Sequence, residues 1–175
     1  MRCAVDVDYR SIGRLEPARA TGVATACVTF AAWTDAAPAT ERVVVSTTPA
    51  APYESGAFYR RELPYLLAIL DGVAASVVIV DGHVWLAGGR PGLGAHLHAA
   101  LGGRAAVVGV AKRPFAGAAA VPVVRGAGHN PLYVSAVGID VLDAVAGLRA
   151  MHGPFRIPTL LKRVDRLCRD APLSS

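Results

Sequence analysis

The chain has 175 residues, 53% hydrophobic and 18% charged, with a formal net charge of +5 and a pI near 9.5. This length suffices to bury the core of one domain, and the composition excludes extended disorder. No apolar run reaches the roughly 18 residues of a spanning helix, and Cys3, Cys27 and Cys168 follow neither a disulfide framework nor a zinc spacing. The positive balance favours a polyanionic partner, mildly. A start directly on a strand-like segment, with no charged and apolar leader, leads us to expect a cytoplasmic protein without a membrane anchor.

Residues 2–9 read as a strand, with Ala4, Asp6 and Asp8 on one face and Val5, Val7 and Tyr9 on the other. Strands follow over 22–32 and 41–47, with gaps short enough for an antiparallel meander. From about Ala57 to Ala74 the apolar spacing turns helical, with Phe58, Leu63, Leu66, Leu67 and Leu70 recurring by threes and fours. Residues 76–80 form a short buried strand, and a glycine-rich loop leads to a helix over 93–101. A strand over 105–110, short strands over 119–125 and 132–135, and helices over 140–152 and 158–170 complete the order. The pattern predicts an α/β protein with a mixed central sheet flanked by helices, one domain over residues 1–170, and a frayed tail over 171–175. That element order is the one found in the ribonuclease-H-like fold.

Three acids stand out. Asp6 lies within the first strand, Asp81 at the exit of the buried strand in Val80-Asp81-Gly82-His83, and Glu62 at the head of a helix. Carboxylates converging from such elements bind hard divalent cations, as phosphodiester hydrolysis requires, provided the two strands are neighbours. Taken singly, each acid has an ordinary reading: a strand-exit turn, a solvated first-turn acid, an exposed strand face.

Longer strings change the weighting. Asp6-Val7-Asp8-Tyr9, Tyr53 through Arg61-Glu62-Leu63-Pro64, Val80-Asp81-Gly82-His83, Gly94-Ala95-His96-Leu97 and Val108-Gly109-Val110-Ala111-Lys112 follow in order. Tyr133-Val134-Ser135, Arg156-Ile157-Pro158 and Asp165 continue the series. It resembles the endonuclease V family over nearly the whole chain. The resemblance implies a ribonuclease-H-like nuclease using Mg²⁺, or Mn²⁺ in its place. Such an enzyme cuts the second phosphodiester on the 3′ side of inosine or deoxyinosine. It implies Asp6, Glu62 and Asp81 as metal ligands, Lys112 beside the phosphate, and Tyr53 as an aromatic wedge that separates strands. Gly82 and His83 follow Asp81 directly and are expected to contact the extruded base, which is read on its Watson–Crick edge.

Departures fall in the substrate-reading segments. The resemblance would place an active-site histidine after Tyr133-Val134-Ser135, where this chain has Ile139. The next residue, Asp140, reads either as a helix N-cap or as a replacement fourth ligand. His129, in a glycine-rich loop, is another candidate for that role. Val84 stands where the family has glycine, and Ser55 where it has proline. Lys162, Arg166 and Arg169 share a helix face that either tracks phosphates or is simply solvated.

The expectation is therefore a monomeric, metal-dependent endonuclease of inosine-containing nucleic acid, DNA rather than RNA. Two rivals keep the fold: the same metal site acting on another nucleic-acid structure, or a weakened module that only binds.

Overall fold

Arg2–Arg10 (β1) alternates its side chains between two layers, Ala4 entering one buried cluster and Val5 the other. In this computed structural model, which describes residues 1–10, 22–46 and 59–172, β1 lies inside a seven-stranded sheet. Gly22–Phe30 (β2) and Thr40–Ser46 (β3) pair antiparallel with it in succession, forming the expected meander. On the other side of β1 lies Val77–Val80 (β4), parallel to it, followed by Ala106–Ala111 (β5), parallel to β4. Leu132–Val137 (β7) runs antiparallel to β5 and carries Val121–Val123 (β6) at the edge. The order is β3-β2-β1-β4-β5-β7-β6, a mixed sheet.

Parallel neighbours need crossovers, and helices supply them. Tyr59–Leu70 (α1) connects towards β4, and Leu93–Ala100 (α2) connects β4 to β5. Both cover the layer of Val5, Val78, Val80 and Val107, into which Leu66, Ile69 and Leu97 insert. Val141–Ala150 (α3) and Thr159–Asp170 (α4) cover the opposite layer of Ala4, Ile79, Val108 and Val110 with Val145, Leu148, Leu160 and Val164. Buried on both faces, β4 is apolar at every position, which is why it reads as a continuous run.

Boundaries differ from the sequence expectation where turn chemistry intervenes. The first helix stops at Leu70 because Gly72, at φ 73°, turns the chain left-handed and Val73 N–H caps back onto the Leu70 carbonyl. The helix expected over 140–152 spans Val141–Ala150, and the strand expected over 119–125 shrinks to three residues. Ala171, assigned to the tail, is buried, and its carbonyl accepts from Arg10 at 2.8 Å. Among the described residues, no helix is long and apolar enough to cross a membrane.

Candidate active site

Register brings the first two acids together. Val5 pairs with Val80 across the parallel β1–β4 ladder, so Asp6, midway along β1, and Asp81, at the exit of β4, emerge side by side just past the end of that ladder. Period two puts Asp6 on the face of Ala4 and Asp81 on that of Ile79, the layer covered by α4. Val80 pairs in turn with Gly109, and Lys112 leaves β5 on the same face as Val108 and Val110. Its Nζ donates to Asp81 Oδ2 at 2.6 Å, a half-exposed ion pair.

Glu62 arrives from the other layer. Helix α1 buries it, and with Asp6, Asp81, Gly82 and Leu93 it lines a cavity of about 320 Å³. Burial pushes its carboxyl up to about 8, with the charges of Asp6 and Asp81 adding to the effect. Asp6 rises to about 7 for the same two reasons, burial first and Asp81 second, against a 3.0 Å hydrogen bond from Val7 N–H. Lys112 loses some charge stability to burial, but its bond to Asp81 and the fields of Asp81, Asp6 and Asp165 raise its pKa.

Asp165 was present in the sequence series but was given no role there. Leu160, Val164 and Cys168 form the buried stripe of α4, four residues apart, and Asp165 flanks it. Cys168 donates to the Asp6 carbonyl at 3.1 Å, and Arg10 donates to the carbonyls of Cys168 and Ala171 at 2.8 Å each. These contacts fasten α4 across the end of β1. Asp165 thereby joins Asp6, Asp8, Asp81, Lys112 and Arg169 around a cavity of about 200 Å³. Arg169 bonds Asp165 at 3.0 Å, and Arg10 pairs with Asp8 at the same distance.

Asp140 does not join them. Because β7 runs antiparallel to β5, Tyr133 pairs with Ala111 near the acids while Val137 pairs with Val107 at the far end. Ile139 and Asp140 come after Val137, across the sheet from Asp81. There Ile139 packs on the core, and Asp140 caps α3 by accepting from Leu142 N–H at 2.7 Å. The expectation that Asp140 is a fourth ligand, or that position 139 belongs to the site, is corrected: strand direction forbids both. Asp165, and not Asp140, lies with Asp6 and Asp81. Tyr53 lies outside the described residues.

The loop after Asp81 is held by its neighbours. Gly82 has φ 140°, and a Cβ on Gly109 would stand 2.6 Å from the Gly82 carbonyl, so glycine in β5 lets the loop cross. Val84 N–H donates to Ser135 Oγ at 2.9 Å, and Trp85 Nε1 donates to the Ala136 carbonyl at 3.2 Å. The Val84 side chain is fully buried, so its bulk does not enter the surface of the site. His83 Nε2 meets the Arg113 carbonyl at 3.1 Å and its ring tilts against Phe115. It sits beside the acids in sequence but lines none of the cavities around them, and neither does the exposed His129.

Among the described residues, no three His, Cys, Asp or Glu side chains form a ready-made metal cage. Mg²⁺ does not demand one, since it keeps several waters and takes one or two carboxylates. The donor set suits a hard cation: oxygens only, and carboxyls whose mutual repulsion a positive ion would relieve.

The sequence pattern of Endonuclease V matches residues 3–139. This chain belongs to the endonuclease V family. Endonuclease V of Streptomyces coelicolor is 31% identical over 144 residues, 69% of this chain and 60% of that protein. The match thus spans less than two thirds of that relative's length. The crystal structure of Endonuclease V from Streptomyces avermitilis superposes at TM-score 0.73 with 29% identity, covering 95% of this chain and 78% of that one. Endonuclease V of Ciona intestinalis, in complex with a 24mer DNA containing an inosine followed by a ribo-adenosine, superposes at TM-score 0.77. At 16% identity, over 96% of this chain and 84% of that one, it speaks to the fold alone. The fold is ribonuclease-H-like, as the element order indicated. The endonuclease V pattern stops at residue 139, before α4, and so leaves Asp165 to the tertiary structure.

Proposed function

We propose that this chain is a divalent-metal-dependent endonuclease that hydrolyses a phosphodiester 3′ to inosine or deoxyinosine in nucleic acid, DNA rather than RNA. Mg²⁺ is its cofactor and Mn²⁺ a substitute. The observation that carries this reading is the convergence of Asp6, Glu62, Asp81 and Asp165 beside Lys112 in a member of the endonuclease V family. Membership of the endonuclease V family, whose resemblance implies inosine or deoxyinosine as the recognised base, supports the choice of substrate.

Asp6 and Asp81 would hold the cation, with Glu62 and Asp165 on its two flanks. When bound, it supplies positive charge to the attacking water and to the departing 3′ oxygen. Lys112, at the rim, donates to a phosphate oxygen where charge develops. Asp81 keeps that ammonium in place between turnovers. Gly82 and His83 open the loop that meets the extruded base, and a mispaired base costs less to extrude than a paired one.

The test is cleavage of an end-labelled strand carrying one deoxyinosine, beside an undamaged strand and an inosine RNA, with Mg²⁺, Mn²⁺ or EDTA. Metal-dependent cutting one nucleotide beyond the inosine, lost in Asp81→Ala, is expected. Undiminished turnover by that variant, or cutting indifferent to inosine, overturns the assignment.

A further inference from the structure

Besides the small cavity among Asp6, Asp8, Asp81 and Asp165, two larger ones flank the acids, one in each layer of the molecule. The first, with Glu62 and Gly82, adjoins the loop expected to meet the lesion. The second, of about 450 Å³, opens under α4 on the opposite face. That volume is in the range of roughly 300–1,000 Å³ typical of small-molecule sites. Its floor is apolar, made by Ile79, Val110, Leu132, Leu161 and Val164. Asp6, Asp81 and Asp165 form one wall, and Lys112, Arg156, Lys162 and Arg169 add positive charge around it.

Phe155 stands at this cavity, 67% exposed and so open to a stacking partner. The backbone beneath it is fixed. Buried Arg125 donates to the carbonyls of Met151, Gly153, Phe155 and Arg156. Arg156 in turn donates to the carbonyls of Lys112 and Pro131. Lys162 Nζ lies 5.9 Å from the Phe155 ring centre. A rigidly mounted aromatic, an apolar floor and a cationic rim are the parts of a single-strand stacking site.

We propose that this cavity receives the nucleobase that follows the scissile phosphate, stacking it on Phe155 while the acids hold the phosphodiester. The assignment rests on the phosphodiesterase reading above. With the lesion on the Gly82 side and the phosphate at Asp6 and Asp81, the strand leaves the acids on the α4 side. There the next base meets the cavity, and Lys162 and Arg169 meet its phosphate. The site is sequence-tolerant, because every base offers a π face.

Base-deletion scanning tests it. Deoxyinosine strands each lacking one base at successive 3′ positions would be compared for kcat/KM with Mg²⁺, and for affinity by fluorescence anisotropy in EDTA. Removal of the base just after the cut should weaken both by about tenfold in the native protein. Phe155→Ala, and Leu161→Trp which fills the floor, should make the same deletion nearly neutral, with unchanged melting temperatures. Equal losses at every position, or the same loss in both variants, overturn the proposal. Should inosine-dependent cutting be absent, the function above fails, whereas the anisotropy arm still decides whether the cavity holds a base.

Discussion

Asp6 and Glu62 are carboxyls held among apolar neighbours and close to a third negative charge, so each keeps its proton to higher pH than in an open chain. Folding therefore retains protons that the unfolded chain releases. Starting from ordinary values of 3.8 and 4.5, the favourable contribution is complete at acid pH and is lost as pH rises through about 7 and 8. In EDTA the melting temperature should fall by several degrees between about pH 4 and 8, and Glu62→Gln should remove about half of that slope, leaving the part that belongs to Asp6. A slope of opposite sign would contradict the burial of these acids. Mn²⁺ must displace the same protons, so its affinity, followed by calorimetry, should rise over that interval. Lys112→Ala should lower kcat by about 10²-fold with little effect on strand affinity, if its ammonium meets charge that develops during reaction. A matching loss in affinity would make it only a binding residue.

At the scale of elements, the site depends on two close fits. The loop after β4 crosses β5 at Gly109, where a methyl group would be driven into the Gly82 carbonyl. Gly109→Ala should cost about 1–3 kcal/mol in urea unfolding and should reduce cutting further than stability alone explains, because Gly82 moves with Asp81. The second fit is the segment 151–156, whose carbonyls converge on the buried Arg125 guanidinium. Arg125→Met leaves those acceptors unmatched and should destabilise by about 3 kcal/mol. Its kcat/KM at a temperature where the variant remains folded should also drop, since Arg156 and Phe155 ride on that segment. Full activity there would show that the segment is only structural.

The whole molecule sets an acidic centre within a chain of net charge +5. Several of its cations are already spent: Arg163 pairs with Glu41 at 2.7 Å and Arg166 with Asp170 at 3.5 Å, so the basic face expected on α4 is partly neutralised. Lys162 and Arg156 line the cavity, together with Lys112 and Arg169, which are themselves paired with Asp81 and Asp165. If about four cations contact a single strand, log affinity against log salt should have a slope near −3. A flat dependence would remove the polyanion from the account.

Local pattern made much of this legible. Period-two alternation identified β1 and placed Asp6 and Asp8 on one face. The apolar run ending at Asp81-Gly82 identified a buried strand with an acid at its exit, and the series of strings through Lys112 indicated the family. These are properties of a few adjacent residues and need no knowledge of what lies opposite. Adjacency and direction are different in kind. Only the assembled sheet decided that β1 and β4 are parallel neighbours, which turns two separate acids into a pair. Only the reversal of β7 against β5 carried Asp140 to the far end, where it became a cap. Asp165 lies 159 residues from Asp6, on a helix whose sequence marks a buried stripe but not the surface that the stripe meets. Packing of α4 over β1 selected it, because long-range contacts depend on the complementary surfaces of whole elements and not on the spacing of residues within one.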